Sequence, residues 1–388
     1  MMSRPGSAEF SPGLVRQSAP KEILKRFPLR KIDKMLLFSA LALGIFGVIM
    51  IFSATRADNP STYYLKRQLM WFIVAMLMMV LGAGFDYHKI MPYSKIIYAI
   101  VIGLLMIVLL FPAINGAHRW INLGVFPLQP SELAKVALII MLATFLADRR
   151  LEMTSNRDFL TALAFAGGIM MWIFIEPDLG VTLLCFVITV GMLMVGGARL
   201  KQIGVLGAAT LLAVVVGLQI HLLKSYQLTR LLVFLKPDLD PLHSGYNLMQ
   251  SKIAIGSGQL VGKGLFNGTQ TNLKFIPEHH TDFIFSVTGE ELGFIGGILV
   301  LALFAILLWR ALKIALTARD SFGTIIAVGI VVMFFWQILV NIGMTMGIMP
   351  ITGVPLPFLS YGGSSLLVNF FCVGLLLNIG MRRFPQGS

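Results

Sequence analysis

The chain has 388 residues, 57% of them hydrophobic, and 31 Lys+Arg against 18 Asp+Glu give it a net charge of +13. Soluble domains run nearer roughly 45–50% apolar and lack repeated charge-free runs of about 20 residues, so a soluble enzyme is excluded and an all-α polytopic membrane protein is expected. The basic excess reads as membrane topology and attraction to anionic lipid, and no basic patch with interleaved aromatics supports nucleic-acid binding.

Residues 1–34 carry eight Lys/Arg and no long apolar run, so they read as a basic cytoplasmic tail. The first apolar segment, Met35–Ala54, is too long for a signal-peptide core and stays as a span. Ten spans are predicted, near 35–54, 68–85, 93–114, 131–147, 159–176, 179–197, 203–223, 283–309, 322–348 and 362–381. The tail and the loops on its side carry 20 Lys/Arg, and the short loops opposite carry four: Arg56, Lys66, Arg67 and Arg119. That asymmetry places both termini, including 382–388, in the cytoplasm and the long 224–282 segment, between spans seven and eight, outside. Within that segment Leu228–Leu235 is apolar enough to lie in the interface, and Gly245–Ile255 fits a short helix with Tyr246, Met249 and Ile253 on one face. Cys185 and Cys372 fall inside spans and imply no disulfide framework. No internal repeat supports an inverted-repeat transporter.

The polar stretch KFIPEHHTDFIFSVTGEELG, 274–293, opens the span beginning at Phe283. Asp282 therefore meets the bilayer edge, where partial desolvation suits a carboxylate to act as a base. Glu132 and Lys135, three apart, share a helix face inside the fourth span. They form either a self-neutralising pair or a site in which Lys135 meets an anionic substrate and Glu132 orients it, with Ser131 expected as the N-cap. Arg119 suits a phosphate and Trp120 an interfacial position; both also fit an ordinary interfacial anchor. Asp178, within EPDLG at 176–180, is a site residue or a turn former. Gln337, Asn341 and Thr345 recur every four residues, a stripe that predicts helix–helix hydrogen bonding. Pro350–Gly363, with three prolines and the turn Ser360–Gly363, reads as a rigid loop able to cover a substrate. GSGQLVGKGLFNG at 256–268 fails as a phosphate loop, because three residues separate Gly258 from Gly262 where four are needed and Gly264 replaces the Ser/Thr. It reads as a flexible hairpin-like loop. His279 and His280 with Glu278 make a poor zinc site; a Mg²⁺ or Mn²⁺ ion shared between Asp282 and a substrate phosphate fits better.

Together GAHRWI at 116–121, LQPSELAK at 128–135, EPDLG at 176–180, PEHHTDFIF at 277–285, GEELG at 289–293 and LPFLSYGGSS at 356–365 resemble the SEDS family (shape, elongation, division and sporulation) of peptidoglycan glycosyltransferases, over residues 30–383. The segment NIGMTMGIMPITGVPLPF at 341–358 is more like the elongation members than the division members. The resemblance implies polymerisation of lipid II with Asp282 as general base. It also implies Arg119, Trp120, Gln129, Glu132, Lys135, Asp178 and Ser360 at the substrate, no tightly bound cofactor, and a possible divalent cation. A class B penicillin-binding protein is the implied partner, with other elongation-complex membrane proteins, in the bacterial cytoplasmic membrane. Two departures stand out: Glu176 replaces the Gln common before Pro-Asp, and Pro127–Leu128 stand where some members carry a basic residue. The rival readings are a lipid II flippase or transporter, a non-enzymatic scaffold, and the division paralogue.

Overall fold

The computed structural model describes residues 32–383 apart from 57–61, 113–117, 123, 125–126, 154, 221–228, 231–232, 235, 237–239, 241–243, 274 and 276–278. The helices are α1 Lys34–Thr55, α2 Tyr63–Gly84, α3 Ser94–Val108, α4 Pro130–Asp148, α5 Asn156–Ile175, α6 Leu179–Val195, α7 Leu200–Gln219, α8 Ser244–Ser257, α9 Thr269–Asn272, α10 Ile284–Leu316, α11 Ser321–Met346 and α12 Gly363–Arg382. A 3₁₀ helix, Tyr87–Tyr93, precedes α3. Nine stretches among the described residues are long and apolar enough to cross a membrane, and the apolar α6 is shorter at 17 residues. These ten match the predicted spans; the tail before residue 32 lies outside the described residues.

Short side chains set several starts. Asp33, Ser155, Asp178 and Asp320 each accept a backbone N–H from the first turn of α1, α5, α6 and α11, filling donors that a helix start leaves unpaired. Burial then sorts the bundle. The apolar windows of α4, α11 and α12 are 78%, 67% and 89% buried, against 6% for α7. The three central helices carry the buried Glu132, Lys135, Gln337, Asn341, Asn369 and Asn378, as expected where charge and amide groups must avoid lipid. At the end opposite Asp282, Arg310 grips Asp33 with Nε 3.0 Å from both carboxylate oxygens. There His88 bridges Asp86 (2.9 Å) and Asp320 (3.3 Å), and Asn378 Nδ2 donates to the carbonyls of Gly82 (2.9 Å) and Ala83 (3.0 Å).

Four expectations need correction. The eighth span is not one straight run from 283 to 309: α10 extends to Leu316 and breaks at Gly293 (φ 62°, ψ −157°). The 256–268 stretch is not a flexible hairpin. It packs into that break, and a Cβ on Gly262 would stand 2.1 Å from Glu291 O. The Gln337–Asn341–Thr345 stripe is buried, but among the described residues its side chains bond no other helix, and the one helix–helix bond it makes is through the Thr345 carbonyl, which accepts from Ser251 Oγ of α8 at 2.7 Å. Asn341 Nδ2 donates to the irregular backbone at Asp282 O (3.0 Å) and Val354 O (2.8 Å), Thr345 bonds within α11, and Gln337 finds no partner among the described residues. Val233 is buried with Leu248, Ala254, Phe283, Met344 and Ile351 in a small second core, so at that point 228–235 does not lie on the interface; half of that stretch is outside the described residues. The helix expected at 245–255 is present as α8. Its Met249 and Ile253 face outward while Leu248, Ser251 and Ala254 are buried.

Candidate active site at the Asp282 end

The segment 350–362 is the hub of this end. It does not lie over the bundle as a cover. Phe358 (φ 66°) is driven inward, and its ring packs 5.5 Å from Phe334 and 5.1 Å from Phe370. Burying that aromatic surface compensates for a backbone conformation that non-glycine residues avoid. Ser360 Oγ accepts the Leu356 N–H at 2.8 Å and holds the turn. The hub therefore forms a floor.

Asp282 stands against this floor. Its carbonyl is fixed by Asn341, and a Cβ built on Gly353 (φ 72°) would lie 3.4 Å from Asp282 Oδ2 and 3.8 Å from Arg230 Nη1. The positive φ favours glycine here, and both side chains reach within van der Waals contact of that one Cβ position. Arg230 is not among the residues the sequence singles out, because it sits in an apolar run that reads as interfacial; a lone Arg inside Leu228–Leu235 is the available signal. Just upstream, the His280 carbonyl accepts the Tyr361 N–H at 2.9 Å, and its ring packs against Tyr64 (4.8 Å) and Tyr361 (5.6 Å). His279 Nε2 lies 2.9 Å from Ala54 O. No group of three His, Cys, Asp or Glu able to hold a metal occurs among the described residues; Glu278 is outside them. The donor set fits an ion that takes most of its ligands from substrate and water rather than a protein cage.

The hub also reaches α6: a Cβ on Gly180 would meet Thr352 O at 2.7 Å. Asp178 caps α6, its Oδ1 accepting Val181 N–H at 3.2 Å, and its Oδ2 lies 3.7 Å from Arg119 Nε. Arg119 also donates to the carbonyls of Glu176 (3.4 Å) and Pro177. It thus staples the α5–α6 turn, with Trp120 half-buried beside it. The pairing of Ile121 with Leu128 and Asn122 with Pro127 carries this segment to the start of α4. Glu176, in the turn beyond α5, is fully buried, and among the described residues neither oxygen has a hydrogen-bond partner. Burial chiefly, then nearby Asp178, pushes its carboxyl up to about 8 against the pull of Arg119.

Glu132 and Lys135 meet at 2.8 Å with side chains 1% and 0% exposed, so in this state the lysine is spent on its neighbour. Ser131 is not the N-cap. Gln129 takes that position without a side-chain bond, Pro130 follows it, and Ser131 Oγ is buried without a hydrogen-bond partner among the described residues. The Gln129 N–H donates to Ser364 Oγ at 3.1 Å, and Ser364 donates to Pro127 O at 3.1 Å, tying α4 to α12. The predicted residues thus gather on one end of the bundle, with Lys135 one turn inward.

A family model described as a cell cycle protein, covering FtsW, RodA and SpoVE, matches residues 33–384. The chain belongs to this SEDS family. It is 40% identical to the stage V sporulation protein E of Bacillus subtilis, over 89% of this chain and 96% of that protein. It is 40% identical to a probable peptidoglycan glycosyltransferase FtsW of Trichlorobacter lovleyi (94% and 98%), and 38% identical to the peptidoglycan glycosyltransferase MrdB of Escherichia coli K12 (91% and 94%). Among solved SEDS structures it resembles the rod shape determining protein RodA of Thermus thermophilus, at 27% identity and TM-score 0.69 over 92% of this chain and 98% of that one. It also resembles a chain from a peptidoglycan synthase complex whose polymerisation and crosslinking are coordinated, at 29% identity and TM-score 0.77 over 91% and 98%. FtsW, MrdB and SpoVE relatives match at near-equal identity, so overall similarity does not separate these branches of the family.

Proposed function

We propose that this chain, a peptidoglycan glycosyltransferase like its named relatives, polymerises lipid II, with Asp282 as general base. The observation that carries this reading is one half-buried carboxylate, fixed through its own backbone and set beside an arginine over Gly353. A sugar hydroxyl is a poor nucleophile at neutral pH and needs a positioned base. Asp282 takes the proton of the acceptor GlcNAc 4-hydroxyl as that oxygen bonds to the anomeric carbon of the donor MurNAc, with inversion. The anomeric C–O bond to phosphate breaks, and undecaprenyl diphosphate leaves with the electron pair. A diphosphate needs cations rather than a proton donor, so one carboxylate suffices, unlike the paired carboxylates of glycoside hydrolysis. Arg230, beside Asp282 over Gly353, and Arg119, at the α5–α6 turn, are the cations assigned to it. Lys135 joins them only if its pairing with Glu132 opens. A Mg²⁺ or Mn²⁺ ion held by Asp282 would add charge at the diphosphate. Trp120, Gln129, Asp178 and Ser360 shape the surroundings.

The 341–358 segment supports an elongation assignment. The likeness to a chain of a synthase complex supports a transpeptidase partner, a class B penicillin-binding protein. The Lys/Arg distribution supports the cytoplasmic membrane, with both termini inside and the Asp282 end outside. The test is purified chain, in detergent with its cognate transpeptidase, given lipid II. Glycan strands are expected. No strands, together with lipid II movement across vesicles by the same preparation, would replace polymerase with transporter.

A further inference from the structure

In an unbroken helix the Phe294 N–H donates to Glu290 O, and the Ile295 N–H to Glu291 O. The break at Gly293 parts both pairs, and residues 259–264 take all four groups. Lys263 N–H donates to Glu290 O (3.0 Å) and Gly264 N–H to Glu291 O (2.9 Å), while Phe294 N–H donates to Gln259 O (2.8 Å) and Ile295 N–H to Leu260 O (3.1 Å). The exchange leaves none of these four groups orphaned, which matters because an unsatisfied backbone group at membrane depth costs several kcal/mol.

Two buried carboxylates lock the inserted segment. Glu290 accepts from Lys263 Nζ (2.7 Å), Thr269 Oγ1 (3.0 Å), Gln270 N–H (2.8 Å), Thr271 N–H (3.3 Å) and Thr271 Oγ1 (3.0 Å). Glu291 accepts from Ser53 Oγ at the end of α1 (2.6 Å) and Phe266 N–H (3.2 Å). Both glutamates are fully buried, and their side chains bond to 263–271 and α1. The half-helix they anchor, 284–292, begins just after Asp282, with Phe283 as its N-cap.

We infer that 256–272 is a splint on the broken helix, and that Glu290 is a positioning residue which sets where Asp282 stands without touching substrate. This rests on the proposed function above. A displacement of about 1 Å at a reacting group costs on the order of 10²-fold in rate, so loosening the splint should be read in turnover before it is read in unfolding.

The test uses the full chain with its transpeptidase and lipid II, comparing wild type, Glu290→Gln and Lys263→Met, with Asp282→Asn as reference. Glu290→Gln is expected to lower kcat by roughly 10–10²-fold with KM for lipid II within about twofold. Amide exchange should quicken in 256–272 and 283–292 and nowhere in α4, α11 or α12. Lys263→Met removes one half-exposed donor and should give a smaller loss of the same kind; it carries the test should Glu290→Gln fail to fold. Unchanged kcat in either variant despite faster exchange overturns the inference. So does a raised KM with kcat intact, which would make Glu290 a substrate contact. Full activity of Asp282→Asn would instead sink the base assignment, whatever the Glu290 variant does.

Discussion

Among the described residues the Glu176 carboxyl has no hydrogen-bond partner, and burial followed by Asp178 raises it from 4.5 to about 8. A carboxyl whose folded value is raised costs nothing below the unfolded value, costs more as pH climbs between the two, and levels off above the folded one. Stability should therefore fall from about pH 4.5 to about pH 8, and Glu176→Gln should abolish that slope. The check is the melting temperature of both proteins across this range: the variant's advantage should be near zero at the acid end and grow toward pH 8, and a constant offset contradicts the assignment. Glu132 and Lys135 call for paired substitution. Lys135→Met leaves a buried carboxylate uncompensated and should lose about 3–5 kcal/mol, most of which Glu132→Gln/Lys135→Met regains. Polymerisation should stay low in both, because intramembrane charge is seldom retained for stability alone; denaturant unfolding beside strand synthesis separates the two effects. At this scale the sequence was informative wherever a charge broke an apolar run, as with Glu132, Lys135 and Asp282. For Arg230 it offers only a lone Arg in an apolar run, because its place beside Asp282 over Gly353 joins segments distant in sequence.

Among the elements, α10 shows where periodicity stops being a guide. Hydropathy continues through Gly293, so a break cannot be read from it, and the glycines at 256–268 look the same whether they serve flexibility, positive φ or close approach. Here Gly262 and Gly293 have φ of 83° and 62°, and a Cβ on Gly293 would stand 2.4 Å from Gly262 N. Gly293→Ala should cost more than the roughly 1–3 kcal/mol of an alanine forced into a backbone region that is essentially glycine's own, because the clash with backbone adds to it. Gly297→Ala, whose Cβ would meet only Phe285 Cζ at 3.7 Å, is the control and should be neutral or slightly stabilising. Thermal unfolding of both variants decides it; equal melting temperatures would remove the splint's demand for glycine. The start of α4 carries a smaller version of the same lesson, since Pro130 shifts the cap to Gln129 and leaves Ser131 inside the helix.

For the whole molecule, the ten apolar helices were legible because each must hide its backbone from lipid within its own hydrogen bonds. Their arrangement was legible only indirectly, through the amides and charges on α4, α11 and α12, which mark the bundle interior. Topology rests on charge alone and has a direct check. Cys185 and Cys372 are buried, so a cysteine introduced at exposed Asn267 should react with a membrane-impermeant thiol reagent in intact cells, and one at exposed Arg319 should not. The reverse pattern would invert the orientation. The most direct measurement is the rate of lipid II polymerisation by Asp282→Asn against wild type, with the cognate transpeptidase present and lipid II binding measured in the same preparation. A loss of about 10²–10⁴-fold with binding retained is expected for removal of a positioned base; polymerisation near the wild-type rate would contradict it and leave Asp282 without the role its geometry suggests.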